Sequence, residues 1–277
     1  MNPSTPLPLD AFVRHLEGHL GLNGRIAPQA SFTHDLMFDS VQRMECVLAV
    51  ADLGVELADV EAGSVDTAEE LHRAYARRAG TTPAPAAPTA PAALVDEAGL
   101  RIPPLVGRYT VLRAVRESDL RFLYDVSTAG ENSVRWRYRG AVPTMEQFAS
   151  QLWQGTLAQF VVGLRSTGED IGHVILYSAD LHNAHASLGA VFTSEVVGTG
   201  FPVEAVRLFR DYAFATWPLR KLYLEVPAYN LQQFASGIGR DLVVEGHMRG
   251  HLYYGGRYWD QHLFAMYPEG GPVEEGR

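Results

Sequence analysis

Two different hydrophobic periods divide the chain. In the first 80 residues, apolar side chains recur every three or four positions, as at Phe12, Leu16 and Leu20, which predicts short amphipathic helices. Beyond residue 108, apolar and polar positions alternate in several stretches, for example at Leu222 and Leu224, which predicts strands with one buried face. The pattern therefore predicts an all-α unit of three or four helices, followed by a unit that mixes strands with helices.

The second unit has enough regular segments for one sheet with helices packed on it. The pattern predicts strands at residues 109–115, 160–164, 171–177, 187–192 and 222–226, helices at 117–129 and 201–217, and a hairpin turn at Gly255-Gly256. Strands interleaved with few helices are typical of an α/β or α+β domain, here with a central mixed sheet.

A run rich in proline and alanine separates the two units. The stretch GTTPAPAAPTAPAA occupies residues 80–93, and its prolines disfavour regular helix because each lacks an amide donor and fixes φ. Such a composition forms either an extended spacer of roughly 3 Å per residue or a disordered tether. We therefore predict domains at 1–79 and 100–270, joined by a linker at 80–99.

Charge and cysteine content narrow the class of protein. The net charge of -9 argues against a nucleic-acid-binding protein. The first 80 residues hold twelve acidic and six basic side chains. An acidic unit suits docking on basic partners, although a solvated acidic face is the alternative. The single cysteine, Cys46, cannot form an intramolecular disulfide, and no signal peptide or membrane-spanning apolar run is visible. We expect a cytoplasmic protein with no membrane partner.

The residues around Ser40 carry the most specific motif of the first unit. The stretch Asp35–Val41 reads DLMFDSV and resembles the D-L-G-x-D-S-L signature of acyl and peptidyl carrier proteins, with Met37 in place of the usual glycine. The resemblance covers about residues 7–78. It implies a four-helix bundle in which a phosphopantetheinyl transferase attaches 4′-phosphopantetheine covalently to Ser40, next to Asp39. A helix N-terminus favours the charge of that phosphodiester. The alternative is that Asp39-Ser40 is an ordinary helix N-cap.

Residues 108–268 resemble the GNAT superfamily of acyltransferases, especially its ribosomal-protein N-acetyltransferase-like branch. The matching segments, in chain order, are Tyr109–Arg113 with Glu117–Leu120, Asp170–Val174, Val197–Ala205, Lys221–Val226, Asn230, Glu245-Gly246 and Gly256–Asp260. Several ordered matches over about 160 residues are more specific than any one of them. The resemblance implies a GNAT fold and direct acyl transfer from a pantetheine thioester to an amine.

The resemblance also implies where the donor binds. The strand Ser187–Phe192 would offer backbone groups to the pantetheine amides, and the loop after it would hold the pyrophosphate of acyl-CoA. The implied donor-binding residues are Val191, Val197, Gly198, Thr199, Gly200, Phe201 and Asn230. The loop departs from the family pattern, Arg/Gln-x-x-Gly-x-Gly/Ala, because Val197 stands at its first position and Pro202, which has no N–H, at its last. Two readings are open, a weakened pyrophosphate site and a simply capped helix.

The catalytic groups are less clear from the sequence. Many GNAT enzymes use a tyrosine seven residues after the asparagine as general acid, but the residue at that spacing from Asn230 is Gly237. The remaining candidates are Ser236, Tyr254 and His251, with Tyr253 and Asp260 nearby on the closing hairpin. His173 is interpreted as a packed strand residue. The sequence predicts no metal site.

The main functional hypothesis is an acyltransferase of specialised metabolism, such as antibiotic biosynthesis. It would pass an acyl group from the Ser40 arm to a small amine or amino-acid-like acceptor, and an acyl-loading enzyme or assembly-line partner would charge that arm. A first alternative is a loading protein that transfers acyl groups from acyl-CoA to its own Ser40 arm. A second alternative is a carrier or docking protein whose GNAT-like domain is inactive.

Overall fold

The computed structural model contains two compact units. The residues that it describes are 6–22, 26–55, 57, 64–79, 94–95, 101–102, 105–239 and 241–268. One unit comprises Met1–Thr89 with Val196–Val203, and the other comprises Ala90–Glu195 with Glu204–Arg277. Most of the 80–99 linker lies outside the described residues, so its boundaries and those of the two domains stay predictions.

The first unit is helical, as the pattern predicts. Its described helices are α1 (Leu9–Leu20), α2 (Ser40–Asp52) and α3 (Ala68–Ala79). Phe12 and Leu16 of α1 are fully buried, as is Leu71 of α3, and the rings of Phe12 and Tyr75 stack with centroids 5.2 Å apart. Residues 58–63 are outside the described part, so a fourth helix and the carrier bundle stay predictions.

Asp66 joins the loop before α2 to the start of α3. Its carboxylate accepts hydrogen bonds from the hydroxyls of Ser31 at 2.5 Å and Thr33 at 2.6 Å. It also pairs with Arg43 of α2 at 2.9 Å. Burial alone would raise the pKa of Asp66, but the bonds from Ser31 and Thr33 and the charge of Arg43 hold it below its usual value. The loop that leads into Ser40 is therefore anchored at several points.

The second unit contains one mixed sheet of seven strands and a separate two-stranded ribbon. The ribbon is β1 (Leu94–Val95) with β2 (Arg101–Ile102). The sheet strands are β3 (Thr110–Ala114), β4 (Thr156–Leu164), β5 (Asp170–Asp180), β6 (His185–Phe192), β7 (Lys221–Pro227), β8 (Val243–Tyr254) and β9 (Arg257–Met266). Their order is β3-β4-β5-β6-β7-β9-β8, and every neighbouring pair is antiparallel except β6 with β7.

Four described helices accompany this sheet. They are α4 (Leu120–Thr128), α5 (Asn132–Arg135), α6 (Met145–Gln151) and α7 (Phe201–Thr216). A 3₁₀ turn at Glu117–Asp119 precedes α4, so the predicted 117–129 helix is divided in two. The predicted mixed sheet is confirmed. The short helices α5 and α6 have too few turns to show a helical period, and the sequence pattern missed them.

The helices cover both faces of the sheet. Val161 of β4 packs with Leu123 of α4 and Phe148 of α6. Its neighbour Phe160 contacts the ring of Phe209 on α7, with centroids 5.7 Å apart. Successive strand residues point to opposite faces, so α4 and α6 lie on one face and α7 lies on the other. Among the described helices, none is both long and apolar enough to cross a membrane.

Glu204, in the first turn of α7, fastens that helix to the segment before β3. Its Oε1 accepts the amide hydrogen of Arg108 at 2.7 Å, and its Oε2 accepts the amide and hydroxyl hydrogens of Thr110 at 2.8 and 2.7 Å. Gly107 passes so near that a Cβ there would lie 2.7 Å from the carboxyl carbon. These bonds satisfy a carboxylate with several donors at once and fix the start of α7 on the sheet.

Candidate active site

Strands β6 and β7 run side by side and then separate. Their parallel ladder pairs His185 with Lys221, Ala186 with Leu222 and Ser187 with Tyr223. Beyond it, β6 continues to Phe192 on β5, and β7 continues to Pro227 on β9. The facing edges of Leu188–Phe192 and Leu224–Pro227 therefore present backbone groups that no other described strand pairs. We call this opening the strand cleft; the predicted donor residue Val191 lies on its β6 side.

One side of the sheet at the cleft is covered by residues 132–140, which include α5. The Asn132 side-chain amide donates to the carbonyl oxygen of Phe192, at the end of β6, at 3.0 Å. The ring of Trp136 lies against Gly189, where a Cβ would be only 3.0 Å from the indole. Gly189 thus allows a close approach that a larger residue would block. The 132–140 segment is held against β6 at two points.

Glu225 stands where the two strands part. Leu224 and Val226 are buried on the α7 face of β7, so alternation directs Glu225 to the opposite face. Its Oε2 accepts a hydrogen bond from the Gln261 side chain at 2.6 Å and lies 3.7 Å from Nη2 of Arg139. The carboxylate is 37% exposed, so a small molecule can reach it.

Tyr177 of β5 belongs to the same neighbourhood. Burial raises the pKa of the Tyr177 hydroxyl, and the negative charge of Glu225 raises it further, while Arg139 opposes the shift. The sequence pattern did not single out Glu225, Arg139 or Tyr177 as site residues. The sequence feature that could have identified Glu225 is that it is a lone carboxylate on the polar side of a predicted strand, five residues before Asn230.

A cluster of aromatic rings surrounds Tyr229, four residues after Glu225. Tyr229 is the second residue of a 3₁₀ segment, Ala228–Gly237, which directly follows β7. The guanidinium of Arg135 lies over the Tyr229 ring at 4.8 Å, and the rings of Tyr254 and Trp259 lie 5.3 and 5.0 Å from it. Burial raises the pKa of Tyr229, while Arg135 opposes the shift. The fold therefore brings the candidate Tyr254 beside Tyr229, a tyrosine that no sequence motif indicated.

The other predicted catalytic residues are dispersed. Ser236 and Asn230 lie on the Ala228–Gly237 segment, but the side chain of Ser236 falls outside the described part. His251 is exposed on β8, and no contact among the described residues links it to Glu225 or Tyr229. Asp260 accepts a hydrogen bond from the Gly250 amide at 2.8 Å and is engaged within the β8–β9 hairpin. The roles proposed for these residues stay predictions.

The loop after β6 has the backbone form that its glycines allow. Gly198 and Gly200 adopt φ values of +84° and +91°, which suit glycine and strain other residues. The Thr199 hydroxyl donates to the Val196 carbonyl oxygen at 2.7 Å and lies 3.3 Å from the amide nitrogen of Phe201, which opens α7. The amides of Gly198 and Gly200 make no backbone hydrogen bond with any described residue.

Residues around Ser40 form a well-defined helix start. Asp39 is the N-cap of α2: its Oδ1 accepts the amide hydrogens of Val41 at 3.0 Å and Gln42 at 2.9 Å. Ser40 is the first helical residue, although its side chain falls outside the described part. Met37 has a φ of +54°, a conformation that glycine adopts without strain. The position where carrier proteins have glycine is thus one where the backbone favours it.

His173 is fully enclosed in the sheet and lies away from solvent. It is 1% exposed, and its Nε2 lies 2.9 Å from Oε1 of Gln159 on β4. Burial, together with the positive charge of Arg137, lowers the pKa of His173 to about 3. The interpretation of His173 as a packed residue agrees with this burial. Cys46 is likewise buried, which raises the pKa of its thiol to about 12 and makes it a poor nucleophile.

Acid is expected to destabilise the second unit through His173. The folded state keeps this imidazole neutral to about pH 3, whereas the unfolded chain binds a proton near pH 6.5. The unfolded state therefore gains protons first, and stability falls as the pH drops from about 6.5 towards 3. The expected loss is about 2 kcal/mol between pH 7 and pH 5.

Urea unfolding followed by tryptophan fluorescence tests this expectation, because all four tryptophans lie beyond residue 130 in the second unit. His173→Gln keeps a polar side chain without the titration and should remove most of the difference between pH 7 and pH 5. An equal loss in parent and variant would assign the acid sensitivity to other groups.

Comparison with known proteins agrees with this geometry. The model of the acetyltransferase (GNAT) domain family matches residues 110–235. The spermidine N(1)-acetyltransferase of Escherichia coli (strain K12) is 27% identical over 152 residues, which span 53% of this chain and 80% of that protein. The Vibrio cholerae spermidine N(1)-acetyltransferase is 26% identical over 157 residues, which span 54% of this chain and 87% of that protein.

A solved structure also resembles the chain in fold. The spermidine N-acetyltransferase of Vibrio cholerae, in complex with CoA and spermine, superposes with a TM-score of 0.50 at 22% identity, over 57% of this chain and 95% of that one. The family match, the mixed sheet and the parting of β6 and β7 agree with one another: the chain is an acyl-transferring enzyme, and its residues 110–235 match the GNAT acetyltransferase domain family.

Proposed function

We propose that this chain transfers an acyl group from a pantetheine thioester to the amine of a small acceptor, and that the donor arm is carried on Ser40. The observation that supports the transfer most strongly is the strand cleft. An extended pantetheine has amide groups that pair with backbone N–H and C=O groups as a strand does. The cleft edges of Leu188–Val191 and Leu224–Pro227, which no described strand pairs, match that requirement.

Glu225 is proposed as the general base. When bound, the pantetheine thioester supplies the activated acyl carbon and the leaving sulfur. The acceptor amine loses a proton as its nitrogen bonds to the acyl carbon, and the Glu225 carboxylate accepts that proton. The C–S bond then breaks, and a hydroxyl of Tyr229, Tyr254 or Ser236 protonates the thiolate. The Gln261 bond, at 2.6 Å, orients the Glu225 carboxylate for this step.

The carrier role of the first unit is a separate part of the proposal. It is supported by the helical unit itself, by Asp39 as the N-cap immediately before Ser40, and by the φ of +54° at Met37, where the carrier motif has glycine. Its partners would be a phosphopantetheinyl transferase and an acyl-loading enzyme or assembly-line protein. The helix dipole at the start of α2 would stabilise the attached phosphodiester.

A free coenzyme A thioester is the second candidate donor. It is favoured by the similarity to spermidine N(1)-acetyltransferases, which are enzymes with a polyamine acceptor, and by the glycine loop, whose Gly198 and Gly200 amides precede α7. The pyrophosphate of such a donor would require these amides, whereas an arm on Ser40 has one phosphodiester. Val197 and Pro202 reduce the donors in this loop, which favours the arm.

Thiol release is the measurement that tests the proposal. The protein is first converted by a promiscuous pantetheinyl transferase, then acylated on the arm, and mixed with a panel of primary amines. We expect amide formation from the arm to exceed that from free acetyl-CoA. Faster transfer from acetyl-CoA to the amine would favour the second donor, and transfer from acetyl-CoA only to the Ser40 arm would support a loading protein. No thiol release from either donor would support the carrier or docking protein, whose GNAT-like domain is inactive.

A further inference from the structure

The geometry points to a zwitterionic α-amino acid as the acceptor, with its amine at Glu225 and its carboxylate at Arg139. This inference rests on the proposed function, because it names the acceptor class of the same site. It also separates this chain from its spermidine-acetylating relatives, since a polyamine carries positive charge along its whole length and has no carboxylate. Three features of the strand cleft carry the inference.

The first feature is the spacing of two opposite charges. Nη2 of Arg139 lies 3.7 Å from Oε2 of Glu225, which is longer than the 2.7–2.9 Å of a hydrogen-bonded ion pair. Both side chains are partly exposed, at 51% and 37%. An α-amino acid has its ammonium and its carboxylate on one carbon. Such a molecule can donate to Glu225 with one end and accept a bidentate pair from Arg139 with the other.

The second feature is the backbone that carries Arg139. Its φ of +50° is in the left-handed region, which costs free energy for a residue with a side chain. The conformation is held by a bond from the Arg139 amide to the Trp136 carbonyl oxygen at 3.1 Å and by one from the Gly140 amide to the Ser133 carbonyl oxygen at 2.8 Å. Trp136 in turn lies against Gly189 of β6. The turn therefore holds the guanidinium beside β7.

The third feature is the sign of the charge around Glu225. A second guanidinium, that of Arg135, lies over the neighbouring Tyr229 ring at 4.8 Å. It forms an ion pair with Glu131. A polyamine needs an excess of carboxylates, because each ammonium group that leaves water must be compensated. Here Glu225 faces Arg139, and Glu131 pairs with Arg135. A zwitterion adds no net charge to these two pairs, whereas a polycation adds positive charge that neither paired carboxylate is free to compensate.

Matched amines distinguish these acceptors. Common L-amino acids are compared with their α-amides and with spermidine, using acetyl-CoA and the acylated Ser40 arm as donors. We expect a kcat/KM for the preferred amino acid about tenfold to a hundredfold above that of its amide, which corresponds to one charge-assisted interaction. Arg139→Gln should raise the KM for the amino acid by a similar factor and leave the KM for the amide unchanged. Arg139→Lys keeps the positive charge and should therefore restore part of the difference in kcat/KM between the amino acid and its amide.

The control variant is Arg121→Gln. Arg121 is 81% exposed on α4 and pairs with Asp125 one helical turn away. The Arg121→Gln substitution removes one positive charge, as Arg139→Gln does, but at a surface outside the cleft. It should leave the preference for the amino acid over its amide intact. A merely structural role of Arg139 would change both acceptors alike, because a disturbed cleft would affect every amine.

Each outcome decides the inference. Equal or faster transfer to the amides or to spermidine would overturn it and leave the acyltransferase proposal standing. If no amine releases thiol, the proposed function fails, and calorimetric titration of the amino acids in the presence of coenzyme A decides the acceptor site alone. Binding that Arg139→Gln weakens and Arg121→Gln preserves would support the amino-acid site. The absence of binding to the parent protein would reject it.

Discussion

Glu225→Gln is expected to lower kcat for amine acylation by about a hundredfold to ten-thousandfold, the range that a general base contributes. The amide has nearly the shape of the carboxylate and can still contact Gln261 and Arg139, but it cannot accept the proton of the attacking amine. The KM of the donor should stay near its parental value, because the edges of β6 and β7 that face the pantetheine are unchanged. Steady-state thiol release, measured at a saturating amine concentration while the donor concentration is varied, gives both kcat and the KM of the donor.

The pH profile separates lost base catalysis from general damage. In the variant, the rate should rise steadily with pH, because only the free-amine fraction of the acceptor can react without a base. A parallel deficit at every pH would contradict the role of Glu225. The matched control is Glu245→Gln on β8. Its carboxylate accepts hydrogen bonds from Lys221 and Tyr267, each at 2.6 Å, and we expect kcat to be retained.

Ser40→Ala is expected to abolish modification of the first unit by a phosphopantetheinyl transferase, as measured by intact mass. The hydroxyl is the atom to which the arm would be attached, so the effect is all or none. Because Asp39 remains as N-cap, with its bonds to the Val41 and Gln42 amides, α2 should persist. Transfer from the carrier arm should disappear, while any transfer from acetyl-CoA to the amine should survive, because that donor needs no arm on Ser40.

Ser64→Ala provides the control for that experiment. Ser64 is an exposed serine of the same unit, and its loss should leave one arm attached per chain. An unmodified parent protein would end the carrier hypothesis, and an arm on Ser40→Ala would assign the modification to another residue. Either result would leave the proposed acyl-transfer chemistry untouched, because that chemistry is argued from Glu225 and its neighbours and not from Ser40.

Much of the fold could be predicted from local patterns. The strand at Leu222–Val226 was visible because one face of β7 is buried on α7, which imposes strict alternation. The long helix after Gly200 was visible because two glycines and a proline mark its start. Boundaries shifted by a few residues, as at β5, which extends to Asp180. Edge residues of a strand are specified by pairing with neighbours and not by their own sequence.

The catalytic arrangement could not be predicted in the same way. Gly237 stands seven residues after Asn230, where many GNAT enzymes have a catalytic tyrosine, so the sequence shows that this tyrosine is absent. No local pattern indicated which side chains lie near Glu225. Arg139 comes from a turn that the 3.6-residue period did not reveal, and Tyr254 comes from the last hairpin. Their approach to β7 depends on strand order and on the packing of Trp136 against Gly189. Such contacts join residues far apart in the chain.

By itself the sequence determined the helical and mixed-sheet units, the glycine loop and the serine motif, because each depends on residues close together in the chain. Only the tertiary structure decided that β6 and β7 part after Ser187 and Tyr223, that Glu225 lies at the opening, and that Arg139 faces it at 3.7 Å. The physical reason is that burial period and turn chemistry are local properties, whereas a cleft is made by the register and divergence of strands that the chain brings together only on folding.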